Sequence, residues 1–226
     1  MKLKHLVLIA SVVMAVCATT SCTKDNTDSD GTLSSIKWID LGLPSGLLWA
    51  DKNVGANTPE DYGDHFAWGE LNTKSAYSWS TYKYSNNDGL LDKYCSRPLY
   101  GRFHFTDTLT ILEPEDDAAS DHIGLRAHIP SKEDWEELID NTTVTWSTLN
   151  GVLGLLFSAP NGNSLFLPAA GICYDSTFDY EEIGSYWSRS LETSYPTDAW
   201  GFDFGPAHQG INSIRRYKGC SVRAVK

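Results

Sequence analysis

The chain is poor in positive charge. Its 18 Lys and Arg stand against 29 Asp and Glu, a formal charge of −11 over 226 residues, and the basic residues form no cluster. That balance argues against nucleic acid, whose phosphates need a basic footprint, and against anionic head groups as a partner. Long apolar runs are missing too: the longest, 6–16, is too short to span a bilayer. No Gly-x-Ser-x-Gly, His-Glu-x-x-His or P-loop pattern occurs, so no nucleophile elbow, zinc-hydrolase helix or nucleotide cradle is visible. Aromatic residues and glycine are plentiful, with 8 Trp, 11 Tyr and 18 Gly and no long amphipathic pattern. Such a chain builds short strands and ordered loops around one core.

The first residues read as a leader. Lys2 and Lys4 precede the apolar run, and small residues then lead to Cys22. Ala18-Thr19-Thr20-Ser21-Cys22 resembles a bacterial lipobox, with Thr19 where an aliphatic residue is usual. The expected organisation is a lipoprotein signal peptide at 1–21, a flexible acidic tether at 22–35 and a folded domain at 36–226. Cys22 is the expected lipidation site, and several acyl chains at about 0.8 kcal/mol per buried methylene make a stable anchor. The alternative is an unlipidated signal peptide with an incidental cysteine. Loss of 1–21 removes two lysines and no acid, taking the charge from −11 to −13. The tether also approximates a calcium loop in Asn26-x-Asp28-x-Asp30-Gly31, but its twelfth position is Lys37, where a bidentate Glu is needed. The Lys24-Asp25 start of the tether is similar to the surface-export signal of Bacteroides-type lipoproteins, which implies the outer membrane, facing the exterior.

Alternation predicts strands at 36–41 and 47–50, around the turn Pro44-Ser45-Gly46. Glu60, Asp61, Asp64 and Glu70 are either a carboxylate group for acid–base work or solvated loop acids. Tyr77, Trp79, Tyr82, Tyr84 and Tyr94 then either pack a long loop or form a sugar-stacking surface. Two short helices follow, one opening at Pro114-Glu115-Asp116 and one capped by Ser131, with Trp135, Leu138 and Ile139 on one face. His122 and His128 are six residues apart, a spacing of no common metal pair. Asn150-Gly151 and Pro160-Asn161-Gly162-Asn163 join strands at 143–148, 152–158 and 165–171 into a meander.

The opening Asp40-Leu41-Gly42-Leu43-Pro44-Ser45-Gly46-Leu47-Leu48-Trp49-Ala50, the stretch Asp64-His65-Phe66-Ala67-Trp68-Gly69-Glu70, Pro130-Ser131-Lys132 with Trp135-Glu136-Glu137-Leu138, Pro160-Asn161-Gly162-Asn163, Tyr186-Trp187-Ser188 and Gly219-Cys220-Ser221-Val222-Arg223 carry a resemblance. Together they resemble the Fibrobacter succinogenes major paralogous domain, a family of bacterial surface modules, over about residues 38 to 225. His122 to His128 departs from the Trp-Arg-Met-Pro ending usual there. The resemblance implies an α+β chain of C-type-lectin-like fold: twisted antiparallel sheets, two short helices and long ordered loops.

It also implies that ligands meet the segment between the closing strands, 186–191 and 221–225. The candidate ligand-binding residues there are Arg189, Glu192, Trp200, Asp203, His208, Asn212, Arg215, Arg216 and Tyr217, expected on loops over one face. The alternative makes them ordinary loop residues, with Trp200 in the core. Neither Glu-Pro-Asn nor Trp-Asn-Asp occurs, so the expected binding needs no metal and no cofactor. The expected function is a non-catalytic, cell-surface module for an extracellular glycan or protein, meeting the membrane through its lipid anchor only. An exported carboxylate-dependent hydrolase and a structural subunit of a surface assembly are the alternatives. Cys95, Cys173 and Cys220 remain in the folded part, an odd number that allows at most one disulfide.

Overall fold

In the computed structural model the described residues are 35–226, apart from Leu125, Tyr180 and Glu181. The leader, the tether and Cys22 therefore lie outside the described residues. Trp38–Asp40 (β1) pairs antiparallel with Leu48–Asn53 (β2), Trp38 opposite Ala50, after a turn closed by the Gly46 amide on the Leu43 carbonyl. On its other side β2 takes Arg223–Val225 (β13), so the two ends of this unit meet on one sheet. Leu48 and Lys226 exchange backbone hydrogen bonds, both 3.0 Å.

The largest sheet has five strands. Its order is His208–Arg215 (β11), Asp198–Gly205 (β10), Gly184–Leu191 (β9), Cys220–Ser221 (β12), His65–Phe66 (β3). The expectation that the segment between the closing strands loops out is corrected: it is an antiparallel hairpin in unbroken register from Asp198 opposite Arg215 to Gly205 opposite His208. Trp200, Phe202 and Phe204 alternate with Gly201, Asp203 and Gly205, and burial of Phe202 and Phe204 drives the strand. The meander forms in the expected order, but its third strand ends at Pro168 and not at 171. Thr143–Leu149 (β4), Val152–Ser158 (β5) and Ser164–Pro168 (β6) lie in that order, and the third strand stops at a residue with no N–H. Ile172–Tyr174 (β7) and Thr177–Asp179 (β8) make a small separate pair.

The first helix starts later than its sequence suggests. Pro114–Asp116 is a single tight turn, and the helix Ala118–Ile123 (α1) begins behind Asp117, whose carboxylate accepts from the Ala119 and Ser120 amides. Burial comes first in lifting the Asp117 carboxyl above its ordinary pKa, against these amides and that of Ile129. Lys132–Asp140 (α2) is capped as expected by Ser131, with Asp134 closing the box. Two buried clusters result. One gathers Trp68, Tyr82, Tyr84, Leu91, Tyr94 and Trp187, and the other gathers Trp49, Trp135, Leu138, Phe157, Tyr186, Phe202 and Phe204. The aromatic stretch before Tyr94 thus packs: Tyr77, Tyr82, Tyr84 and Tyr94 are buried.

Candidate ligand-binding surface

Arg216 directly follows β11, where the chain turns from the hairpin toward β12. Expected as a ligand contact, it is instead fully buried, at 0% exposure. Its Nε donates to the Tyr82 hydroxyl at 2.8 Å, Nη1 to the Tyr94 and Pro196 carbonyls at 3.0 and 2.9 Å, and Nη2 to the Lys93 carbonyl at 3.2 Å. The guanidinium carbon lies 4.8 Å from the Trp68 ring centre, 5.3 Å from Tyr82 and 5.8 Å from both Tyr84 and Tyr94. A planar, weakly hydrated cation suits this box of rings and carbonyls better than an ammonium does. Arg216 is thus a cross-link that fixes the segments at 93–94 and 196, and the ligand-contact assignment is corrected.

Register divides the other candidates between the two faces of the hairpin. Asp203, His208 and Asn212 share one face, where the Asn212 amide donates to the Asp203 carboxylate. Trp200 and Arg215 take the other. The Lys132 ammonium sits 4.8 Å from the Trp200 ring centre, and Arg215 Nη1 bonds Asp198 Oδ1 at 2.6 Å and Thr197 Oγ1 at 2.8 Å. Glu192 is buried, and its carboxylate caps its own turn by accepting from the Ser194 amide at 2.7 Å. Arg189 is half-buried, close enough to Asp117 and His128 to bias both their titrations. Tyr217 packs at 4.9 Å against Trp79. The nine candidates do not converge on one patch.

A more prominent surface escapes sequence reading. Leu99 is 79% exposed, Phe103 94% and Tyr195 57%, all on loops that are firmly held. Leu91 and its neighbours fix the first loop through Leu91 N to Tyr100 O and Arg102 N to Leu91 O, both 2.8 Å. The Asp107 carboxylate accepts from the Tyr94 and Cys95 amides at 2.7 and 3.0 Å. Ser96 Oγ donates to the Thr193 carbonyl at 2.7 Å and Arg97 Nη1 to that of Ser194 at 2.8 Å, which ties the loop to the turn carrying Tyr195. Phe103 and His104 both adopt left-handed backbone, φ 51° and 61°. That conformation costs about 1–3 kcal/mol per non-glycine residue and persists only where surroundings impose it. From residue 93 to 106 the chain has Lys93, Arg97, Arg102 and His104 and no acid, against the overall trend. The sequence signal was available in that local charge reversal, but nothing in the residue pattern says that Phe103 points outward.

The four loop acids have local partners. Glu60 accepts from Asn150 at 2.6 Å, which heads the causes that lower its pKa, and Asp61 accepts from the Asn57 and Thr58 amides. Glu70 pairs with Lys74 at 2.8 Å, and the Gly55 turn packs against Asp64. His122 meets the Leu71 carbonyl at 2.8 Å, while the His128 backbone bridges to Val225. Among the described residues no three His, Cys, Asp or Glu side chains converge as a metal cluster. Cys95, Cys173 and Cys220 are buried free thiols, and burial pushes Cys173 up to about 12 and Cys220 well above its ordinary value. Thiols so protonated are poor nucleophiles.

The architecture is α+β: mostly antiparallel sheets with two short helices. No described helix is long and apolar enough to cross a membrane. Comparison of the chain with protein-family models, with characterised proteins and with solved structures finds no match.

Proposed function

We propose that the chain is a surface lipoprotein, anchored in the outer membrane through Cys22, whose folded unit is a non-catalytic recognition module of the C-type-lectin-like class. Its ligand is an extracellular glycan or protein. The resemblance to the paralogous-domain family supports the class, and the leader and lipobox support the location. The observation that carries the reading is the well-tied loop that holds Phe103 almost wholly in solvent, with Leu99 exposed on the same loop and Tyr195 on the turn bonded to it, while Arg216 bonds the Tyr94 and Pro196 carbonyls at the roots of both. Exposed apolar side chains on a well-tied scaffold serve binding rather than folding. On the hairpin, exposed His208 and Asn212 with half-buried Asp203 offer polar contacts of the kind that set specificity.

A glycan and protein array probed with the purified protein tests this. Binding is expected, with a loss of about tenfold or more on Phe103→Ser, the size of effect typical of an interface anchor. Trp200→Ala, on the reverse of the hairpin beside α2, should matter less. Binding unchanged by Phe103→Ser and by Asp203→Ala would overturn the assignment of this surface. Labelled palmitate that enters the wild type as readily as Cys22→Ala would overturn the anchor.

A further inference from the structure

The meander leaves one long strand edge open. In β5 the Leu153 carbonyl accepts from Ala169, and the Ala159 amide donates to Asn163, so 153, 155, 157 and 159 turn their backbone groups toward β6. Residues 154, 156 and 158 then face β4, where they oppose Ser147, Thr145 and Thr143. By the same alternation, Val144, Trp146 and Thr148 turn their N–H and C=O groups away from β5. No described residue hydrogen-bonds to those six groups.

Other edges differ. The outer edge of β6 is occupied at Phe166, whose carbonyl accepts from Arg223 at 3.0 Å. Strands β1, β3, β7 and β8 have only two or three residues. Strand β11 carries the ionisable side chains of His208 and Arg215. Strand β4, Thr-Val-Thr-Trp-Ser-Thr-Leu, has no ionisable side chain, proline or glycine, and it is rich in β-branched residues. Natural edges are ordinarily blunted by charge, proline or a bulge, and this one has none of the three.

We infer that β4 pairs antiparallel with β4 of a second copy about a two-fold axis at Trp146. The choice of a second copy follows from charge and symmetry. A chain at −11 repels its own copies, and the contact that avoids this uses a neutral strand. Centred on Trp146, the pairing sets Val144 opposite Thr148 of the second copy, so the three outward residues meet as hydrogen-bonded pairs and join two meanders into one six-stranded sheet. The two Trp146 rings then lie side by side on the face where each already meets Phe204, 6.3 Å between centres. This dimer is independent of what the exposed loop binds, and it would present that loop twice to a multivalent ligand.

The test is the mass of the full-length protein by light scattering with detergent mass subtracted, from micromolar to millimolar concentration, beside residue-resolved amide exchange. The expected result is a doubling of mass with concentration, together with slowed exchange at Val144, Trp146 and Thr148, while Thr143, Thr145 and Ser147 stay protected throughout. Thr148→Pro removes an outward N–H and leaves the bonds to β5, so it should weaken the dimer by about tenfold or more without lowering the denaturation midpoint of the monomer. Should that variant unfold, the alternating exchange pattern of the wild type still decides. A single-chain mass at every concentration overturns the inference. So does doubling with no change at those three amides, which means another interface. Protection of the three without doubling also overturns it, since a segment of the same chain then covers the edge.

Discussion

Arg216 and Asp116 show how much single buried charges decide here. Arg216 satisfies three carbonyls and also donates to the Tyr82 hydroxyl, which itself donates to the Trp68 carbonyl at 2.8 Å. Arg216→Ala should therefore cost about 3–5 kcal/mol by chemical denaturation, and Arg216→Lys more than about 1 kcal/mol, because an ammonium cannot reach four acceptors in a plane. An unchanged midpoint in both would contradict the cross-link. Asp116 accepts from Lys83 at 2.8 Å, Lys93 at 2.6 Å and the Tyr94 hydroxyl at 2.8 Å. Burial alone would raise its pKa, but the bonds from Lys83, Lys93, Tyr84 and Tyr94 outweigh burial and hold it well below the carboxylate range. A depressed folded value means stability that is complete above the unfolded pKa near 4 and drains away as pH falls toward the folded one. Asp116→Asn should cost about 2 kcal/mol at pH 7, moderated because Lys83 is half exposed, and should flatten the loss of stability below pH 4. A wild-type acid limb identical to that of the variant would contradict this account.

At the scale of elements, the 97–105 loop is built around close approach. A Cβ at Gly101 would lie 1.8 Å from the Phe105 carbonyl oxygen, so Gly101→Ala must open the turn. The expected outcome is faster proteolytic cleavage within 97–105 and weaker binding at the Phe103 surface, with the denaturation midpoint lowered by only about 1 kcal/mol because the clusters below are intact. Equal cleavage rates would show that the loop is not held as described. The second helix and the meander were legible in sequence because their signals are local: Ser131 three residues before Asp134, Asn150-Gly151 between alternating runs. The β10–β11 hairpin was not, since Gly201, Gly205 and Gly210 thin out its alternation and an irregularity between Ala199 and Gly201 shifts its register on β9. Without that hairpin, its two faces could not be told apart, and Asp203 and Trp200 read as neighbours on one surface.

For the whole molecule, composition conveyed the class of architecture and the first residues conveyed an expected address, while the assignment of interior and exterior needed three dimensions. Arg216 sits between Arg215 and Tyr217 in a polar run, and no period marks it as the one whose aromatic box arrives from 134 residues earlier at Tyr82. Phe103 is the converse case, an apolar residue that the fold turns outward.

The order in which the chain closes has its own consequence. Arg223, on β13, reaches into the interior to meet Asn53, Ala50 and Phe166, and burial brings its pKa down to about 10 without discharging it. Val225 bridges to His128, and Lys226 to Leu48. Until this closing strand is in place, neither the opening sheet nor the cluster behind it is complete. Strand β2, met early in the folded unit, therefore waits unpaired on one side for a partner some 170 residues away, and the unit gains its full set of contacts in a single late step.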